Sequence, residues 1–306
     1  MPTALFSRPA RFKKTRVLIV GCGDVGRRVA RELLPRCRVL ALTSQTERAA
    51  ELRQAGLVPL VGNLDQPHTL ARLASLATRV VHLAPPPSQG AEDPRTRHLL
   101  QALSRRGRVR ALVYGSTTGV YGNAGGARFD ETRPVAPATA RAQRRVHAEA
   151  LVRWWGRRQA GRQGTRASIL RIPGIYAADR EGGHPRDRVL RQAPVLRTED
   201  DVYTNHIHAD DLARACVAAL WRGRPGRVVH TCDQQEMLMG DYFDLVADLC
   251  GLPRPPRISR QEAEQTLSPM QMSFLGESRR LVNTRLRHEL KLTLRYPTVR
   301  EGLAGR

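Results

Sequence analysis

The 306-residue chain has no apolar run long enough for a membrane span, and its first residues lack the apolar core of a signal peptide. Both absences point to a cytoplasmic protein with no membrane partner. Cysteine is sparse: Cys22, Cys37, Cys216, Cys232 and Cys250 are odd in number and form no Cys-x-x-Cys, so neither a disulfide framework nor a zinc ribbon is indicated. They read as reduced thiols, most of them buried. Lysine is nearly missing. Lys13, Lys14 and Lys291 are the only lysines among 51 basic residues, set against 28 acidic ones, and arginine carries the net charge of +23. A charge of that size suggests polyanion binding, but the arginines are spread over nearly every predicted helix rather than gathered with aromatics into one stripe, which argues against a specific nucleic-acid partner. No internal repeat or low-complexity tract occurs. Acids are absent from the first fourteen residues, where Arg8, Arg11, Lys13 and Lys14 predict a basic tail over residues 1–15 that the fold does not need.

The strongest signal is Val17-Leu18-Ile19-Val20-Gly21-Cys22-Gly23-Asp24-Val25-Gly26. Four β-favouring apolar residues run into a Gly-x-Gly-x-x-Gly turn, and Val25 to Leu34 reads as a helix with Val25, Val29, Leu33 and Leu34 on one face. Such a turn brings free helix N–H groups to a pyrophosphate: Gly21 permits the tight turn, Gly23 leaves room for phosphate, and Gly26 lets helix and strand pack closely. A second strand, Arg38 to Leu42, ends at Thr43-Ser44, where a dinucleotide fold meets the adenosine ribose. No acid stands there to bind a 2′-hydroxyl, and Arg48 follows, which favours NADP over NAD.

The alternation continues with helix Thr46–Ala55, strand Val58–Val61, helix Pro67–Leu76, strand Arg79–Leu83, helix Pro94–Arg105 and strand Val109–Tyr114. Strands separated by helix-length segments need crossovers, so the pattern predicts an α/β fold with a doubly wound parallel sheet of the Rossmann type. Pro85-Pro86-Pro87 ends the fourth strand in a rigid loop at the ligand-binding edge, and His82 just before it reads as a core histidine. The fifth strand delivers Ser116-Thr117-Thr118-Gly119-Val120-Tyr121, hydroxyls placed where a hydride-transfer enzyme orients a substrate oxygen. A long helix from Thr139 to Gln159 packs through Trp154 and Trp155, and Arg166 to Arg171 reads as a sixth strand.

These segments resemble an extended short-chain dehydrogenase/reductase of the NAD-dependent epimerase/dehydratase group, and more narrowly its atypical members with a Gly-x-Gly-x-x-Gly loop. The likeness spans nearly all of residues 16–303 and rests on that loop, Gly62-Asn63-Leu64, Ser116 to Gly122, Leu170 to Tyr176, and Asn205 to Ala213. It implies that Gly21, Gly23, Asp24, Val25 and Gly26 surround the pyrophosphate, and that Thr43, Ser44 and Arg48 surround the adenosine ribose. Asn63, where the family usually has aspartate, and Leu64 would meet adenine. Leu83, Ala84 and Pro85 would line the nicotinamide ribose side, Pro173 to Ile175 would approach the nicotinamide, and Ser116 joins the cofactor contacts. Thr117 matches the catalytic Ser/Thr.

The chain departs from the family at the tyrosine acid/base and the lysine four residues later. Aligned on Glu149, those positions hold Arg141 and Arg145. Arginine offers a forked donor, so Arg145 can take the ribose hydroxyls, but a guanidinium cannot cycle as an acid/base. Either Tyr121, Tyr176, His206 or His208 supplies the proton, with Tyr121 nearest Thr117, or the protein is a non-catalytic dinucleotide sensor or scaffold. His206-x-His208 with Asp210 has no third ligand at convincing spacing, so no metal is expected.

Residues 16–172 are thus expected to form the dinucleotide-binding domain and residues 173–306 a smaller carboxyl-terminal substrate lobe, with 205–231 partly returning to the sheet. In that lobe Asp179 to Arg186 reads as a turn-rich loop, Asn205 to His208 as a short strand, Asp210 or Asp211 as the cap of helix Leu212–Trp221, and Arg279 to Leu290 as the final segment. The resemblance implies a nucleotide-sugar-like or other small carbonyl or alcohol substrate, and a homodimer through the helices at 94–105 and 139–159.

Overall fold

The apolar run Val17 to Val20 forms the body of β1 (Thr15–Val20), where its side chains are shielded completely on both faces of the sheet. The computed structural model describes residues 14–106, 108–180 and 183–304; the basic tail up to residue 13 and residues 181 and 182 of the turn-rich loop lie outside the described residues. After β1 come α1 (Asp24–Leu33), β2 (Cys37–Thr43), α2 (Arg48–Gln54), β3 (Val58–Val61), β4 (Arg79–His82), α3 (Pro94–Ser104), β5 (Ala111–Thr117), β6 (Arg128–Phe129), α4 (Ala140–Gln163) and β7 (Arg166–Ile172). The carboxyl-terminal part holds β8 (Gly174–Tyr176), α5 (Arg186–Leu190), β9 (Val195–Leu196), β10 (Tyr203–Thr204), β11 (His206–His208), α6 (Ala209–Arg222), β12 (Val228–His230), β13 (Met237–Leu238), α7 (Met239–Cys250), β14 (Arg257–Ile258), α8 (Arg260–Thr266), α9 (Pro269–Leu275), β15 (Arg280–Leu281), α10 (Thr284–His288) and α11 (Val299–Leu303).

The central sheet has seven strands in the order β12-β7-β5-β4-β1-β2-β3, all pairs parallel. The chain leaves β1 toward β2 and β3, then crosses back to β4 on the other side. That reversal opens a crevice beyond the carboxyl ends of β1 and β4, the place where doubly wound sheets bind ligands. One face of the sheet packs on α1 and α6 through Val29, Leu33, Leu212 and Leu220, the other on α3 and α4 through Leu99, Leu103, Ala148 and Val152. A separate apolar cluster around Val189, Tyr242 and Val246 holds the carboxyl-terminal lobe.

Several elements differ from the sequence reading. Pro67–Leu73 is a 3-10 helix, whose three-residue turn puts Leu70 and Leu73 together on its one buried side. The fifth strand continues through Ser116 and Thr117 instead of ending at Tyr114, since both pair with β7. Helix α4 runs four residues further, to Gln163, and stops where Gly164 takes φ +64°. Trp155 packs inward and donates its indole N–H to Ser104 Oγ at 2.8 Å, but Trp154 is 53 % exposed and packs on nothing in the sheet. Strand β11 pairs with β8 in a small sheet of its own. Helix α6 starts at Ala209 and is capped by His208, whose Nδ1 accepts the Asp210 N–H at 3.2 Å, while the Asp211 carboxylate accepts the Arg295 and Tyr296 N–H groups. Arg279 to Leu290 divides into β15 and α10.

Candidate functional site

The turn after β1 is shaped by close approach. Gly21 has φ +90°, and a Cβ there would lie 2.7 Å from Leu83 C and 2.8 Å from Ala84 Cα; at Gly26 it would meet Gly21 O at 2.6 Å. Around Gly23, by contrast, a Cβ would find nothing within 4 Å. The turn is therefore tight against β4 and open at its middle glycine, which is also the N-cap of α1. This is the shape a pyrophosphate needs at a helix N-terminus, and the chain's own atoms leave that space clear.

Beside the turn lies a crevice of about 340 Å³. Of the residues expected around a dinucleotide, Gly21, Thr43, Ser44, Arg48, Asn63, Leu64 and Ala84 line it. Arg48 reaches back over the turn and donates through Nη2 to Cys22 O at 3.0 Å. Asn63 Oδ1 accepts the Asp65 N–H at 2.9 Å, which leaves the two Nδ2 donors and the second lone pair of Oδ1 as the amide's further hydrogen-bonding capacity. Sequence reasoning missed two further lining residues, Asp65 and Arg95. They form a bidentate pair at 2.8 and 2.7 Å, and Arg95 also donates to Pro85 O at 3.3 Å, which holds its guanidinium across the crevice. No local motif marks this pair, because its partners are thirty residues apart.

A second cavity, of about 310 Å³, opens along the same sheet edge beyond β5 and β7. Thr117 and Pro173 line it, as does Arg145. Thr117 Oγ1 accepts the Gly119 N–H at 3.2 Å and caps the short 3-10 helix that follows. Arg145 lines this cavity and not the crevice; its Nη1 donates to Gly115 O at 2.9 Å and to Tyr114 OH at 3.1 Å. Arg141, one helical turn earlier, is on the same wall. Opposite them stand Tyr203, Glu277 and Arg279, which the sequence did not single out as a group because they come from separate loops. Glu277 is paired with Arg279 Nη1 at 2.6 Å.

The remaining expected residues are elsewhere. Val25, Leu83 and Ile175 pack against the core, and Asp24 accepts from Arg28 Nε at 2.9 Å with Arg180 Nε at 3.0 Å. Arg28, 3 % exposed, also binds Asp179 and Asp210; burial opposes its charge, but these three carboxylates reverse that and raise its pKa. Ser116 is buried and donates to Glu149 Oε1 at 2.7 Å, so its hydroxyl serves the core.

None of the four proton-transfer candidates lines the cavity among the described residues. Tyr121 is 1 % exposed; its hydroxyl accepts from Arg171 Nη1 and donates to His230 Nε2, each at 2.6 Å, with the donating tautomer of His230 assigned from its Nδ1 bond to Val282 O. Burial raises the phenol's pKa more than Arg171 lowers it. Tyr176 donates to Thr298 O, and burial raises its pKa too. His206 stacks on Tyr242 at 3.8 Å between ring centroids and is pushed down to about 3 by burial. His208 is the α6 cap, its pKa also lowered, chiefly by burial. Local spacing located these rings beside the site; tertiary packing turned them inward. His82 is buried as expected, with Nε2 bonded to Thr96 Oγ1 at 2.9 Å, but its Nδ1 has no partner among the described residues.

Known proteins carry the same architecture. A conserved protein of unknown function from Silicibacter pomeroyi DSS is 28 % identical, with a TM-score of 0.78 over 95 % of this chain and 97 % of that one. A UDP-glucose 4-epimerase from Thermotoga maritima, solved with UDP-glucose, is 18 % identical, with a TM-score of 0.76 over 95 % and 96 %. A double mutant of the dTDP-glucose 4,6-dehydratase DesIV from Streptomyces venezuelae, solved with NAD and DAU bound, is 20 % identical, with a TM-score of 0.75 over 95 % of both chains. No curated protein sequence matches. The family profile described as NAD dependent epimerase/dehydratase matches residues 17–231, and with the parallel sheet, the glycine turn and the crevice at the strand reversal it places this chain: it belongs to the NAD-dependent epimerase/dehydratase family.

Proposed function

We propose that the protein is an NAD(P)-binding oxidoreductase of the epimerase/dehydratase type that acts on a nucleotide-sugar-like or other small carbonyl or alcohol substrate without the usual Tyr/Lys pair. The observation that carries this reading is the continuity of one sheet edge, where the crevice at Gly21 and the cavity at Thr117 lie side by side. Bound NAD(P) supplies a site that accepts and returns a hydride. Gly21 makes the tight turn and Gly23 leaves the pyrophosphate its space, and Thr43, Ser44 and Arg48 receive the adenosine ribose. NADP is favoured over NAD, because the crevice's one carboxylate among the described residues, Asp65, is already held by Arg95, whereas Arg48 lies at the ribose end. Asn63 and Leu64 take the adenine.

In the second cavity Thr117 orients the substrate oxygen. Tyr203 is the one phenol among the described residues that line it, and its hydroxyl holds or moves the proton in place of the absent family tyrosine. Fluorescence titration with NADPH and NADH, with Gly23→Asp as the control, tests the cofactor site: the added carboxylate should abolish saturable binding. Tyr203→Phe should then abolish hydride transfer, followed as NAD(P)H absorbance, while leaving NADPH binding intact.

A second reading, a non-catalytic NAD(P) sensor or scaffold, draws on the burial of Tyr121, Tyr176, His206 and His208. Turnover with any substrate removes it. For self-association we propose the α3 and α4 face, where Leu100, Leu151 and the exposed Trp154 border a groove; sedimentation of the intact protein and of Trp154→Glu tests that placement.

A further inference from the structure

Arginines scattered along the chain are gathered by its topology. Five neighbouring strands of the central sheet, β7, β5, β4, β1 and β2, carry an arginine at or beside their amino ends: Arg166, Arg110, Arg79, Arg16 and Arg38. Adjacent strands lie about 4.8 Å apart, so the row is about 19 Å wide, on the edge opposite the cofactor crevice. The backbone fixes it. Arg166 N–H donates to Arg110 O at 2.9 Å, Arg110 N–H donates to Thr78 O at 2.7 Å, and Arg16 stands opposite Arg38 in register. Like charges placed in this way repel.

Nothing nearby offsets that repulsion. Arg166 Nη1 donates to Trp221 O at 3.0 Å and Arg79 lies over the Trp221 ring at 4.9 Å, and among the described residues no acid pairs with any of the five. Residues 33–46, 66–91 and 94–129, which hold the starts of β2, β4 and β5, contain no acid. Acids that the fold brings to this side are engaged: Glu32, in the last turn of α1, meets Arg295 Nη1 at 3.5 Å, and Glu289 accepts from Arg227 Nε at 2.8 Å. The Arg79 Nε is buried without a hydrogen-bond partner among the described residues; burial, Arg166 and Arg110 push its pKa down, with Cys37 opposing them. Arg31, Arg53, Arg162 and Arg222, in the last turns of α1, α2, α4 and α6, answer the negative end of a helix dipole. The strand arginines have no such use, because a sheet carries little net dipole.

We propose that this amino edge of the sheet is a docking surface for a nucleic-acid strand, bound through its phosphates without regard to sequence. Arginine's planar fork matches phosphate oxygens, and a row of guanidiniums gives a phosphodiester chain successive contacts while releasing its counterions. An anionic membrane fits less well. Of the exposed large apolar side chains, Val61, Trp154, Leu190 and Trp221, only Trp221 meets the row, and Arg79 lies on its ring, so the edge offers no free anchor of that kind to a bilayer. The surface stands apart from the cofactor reading and does not depend on it.

The test is fluorescence polarisation of the full-length protein with labelled oligothymidylate and oligocytidylate of about twenty nucleotides, between about 50 and about 200 mM salt. Both should bind alike, with log affinity falling against log salt at a slope of about −3.5, the value for five neutralised phosphates. Arg16→Gln combined with Arg38→Gln removes two exposed arginines and should weaken binding about tenfold or more and bring the slope to about −2. Arg191→Gln combined with Arg300→Gln takes the same charge from exposed positions of the carboxyl-terminal lobe and should change affinity by less than about twofold. No saturable binding at the lowest salt, equal losses in the two double variants, or displacement of the oligonucleotide by NADPH overturns the proposal. Binding to phosphatidylserine vesicles that exceeds binding to both oligonucleotides overturns it as well.

Discussion

Gly21 and Gly23 stand two residues apart in the same motif, yet replacing each by alanine should have opposite consequences. At Gly21 the new Cβ would sit 2.7 Å from Leu83 C and closer still to Ala84 N, so the Leu83–Ala84 peptide must retreat by about 1 Å to reach ordinary 3.4 Å contact. That peptide is held by two N–H bonds to Val20 O, from Leu83 at 2.7 Å and from Ala84 at 3.0 Å. Losing or stretching both costs about 2 kcal/mol, and a non-glycine residue at φ +90° adds about 1 kcal/mol, for a total near ~3 kcal/mol. In a protein of this size that lowers the melting temperature by roughly 5 °C. Gly23→Ala meets no atom within 4 Å, and its stability should change by less than about 1 kcal/mol. Its cost appears in NADPH affinity instead, because the methyl group enters the space left for phosphate. Thermal unfolding by circular dichroism, paired with NADPH titration, separates the two effects. Equal melting temperatures for the two variants, or undiminished NADPH binding by Gly23→Ala, would refute the assignment of one glycine to the fold and the other to the ligand.

Burial pushes His82, His206 and His230 down to about 4, 3 and 4. An unfolded histidine binds its proton near ~6.5, so below that pH the unfolded chain holds more protons than the native one, and melting temperature should fall steadily as pH drops from about 6.5 toward 4. A flat profile across that window would show the three rings to be solvated. Asp233 acts with the opposite sign: burial raises it to about 8, and stability is lost as pH rises from about 4 toward 8. Asp233→Asn keeps the acceptor that Oδ1 offers to Gln235 N–H, so its stability relative to the parent should improve from pH 5 to pH 8, as a pair of urea titrations would show. Burial alone would raise the Glu149 pKa, but its bonds from Arg171 and Ser116 and the Arg171 charge lower it overall. Glu149→Gln leaves Arg171 buried without a full counter-charge and should cost about 3 kcal/mol in urea unfolding; a change under about 1 kcal/mol would mean that the pair is hydrated.

The sequence was most informative where one residue type has one physical use. Val17 to Val20 could only be a strand shielded on both faces, and Gly21 could only be a turn, so β1, α1 and the crevice beside them were legible at once. The order of alternating strands and helices gave the parallel sheet for the same reason. Direction was not legible where a side chain has two good destinations. Tyr121 follows Thr117 by four residues, but the 3-10 helix from Thr118 to Tyr121 turns its ring into the core, where Arg171 and His230 satisfy the hydroxyl. His208 reads as a strand residue and works as a helix cap, because its Nδ1 can accept a backbone N–H as well as an aspartate can. Tyr203, Glu277 and Arg279 carried no signal in their spacing with Thr117, since only the closure of the carboxyl-terminal lobe brings them to one cavity.

Glu149 explains why two arginines of α4 come to line the cavity at Thr117. Its carboxylate takes Arg171 through two bonds, at 3.0 and 2.7 Å, and Ser116 at 2.7 Å, so it ties α4 to β7 and β5 at a fixed rotation. Residues four and eight positions earlier must then lie on the same face, nearer the carboxyl edge of the sheet. That puts Arg145 against Gly115 O, at the end of β5, and Arg141 at the mouth of the cavity. The helix register is thus set from the buried end, independently of what occupies the open end. Exchanging the residues at 141 and 145 should therefore change the chemistry of the cavity without moving the helix. On the proposed function the proton comes from Tyr203, which lines the same cavity, and Tyr203→Phe should abolish hydride transfer, followed as NAD(P)H absorbance, with NADPH binding retained; hydride transfer that survives the change would refute that role.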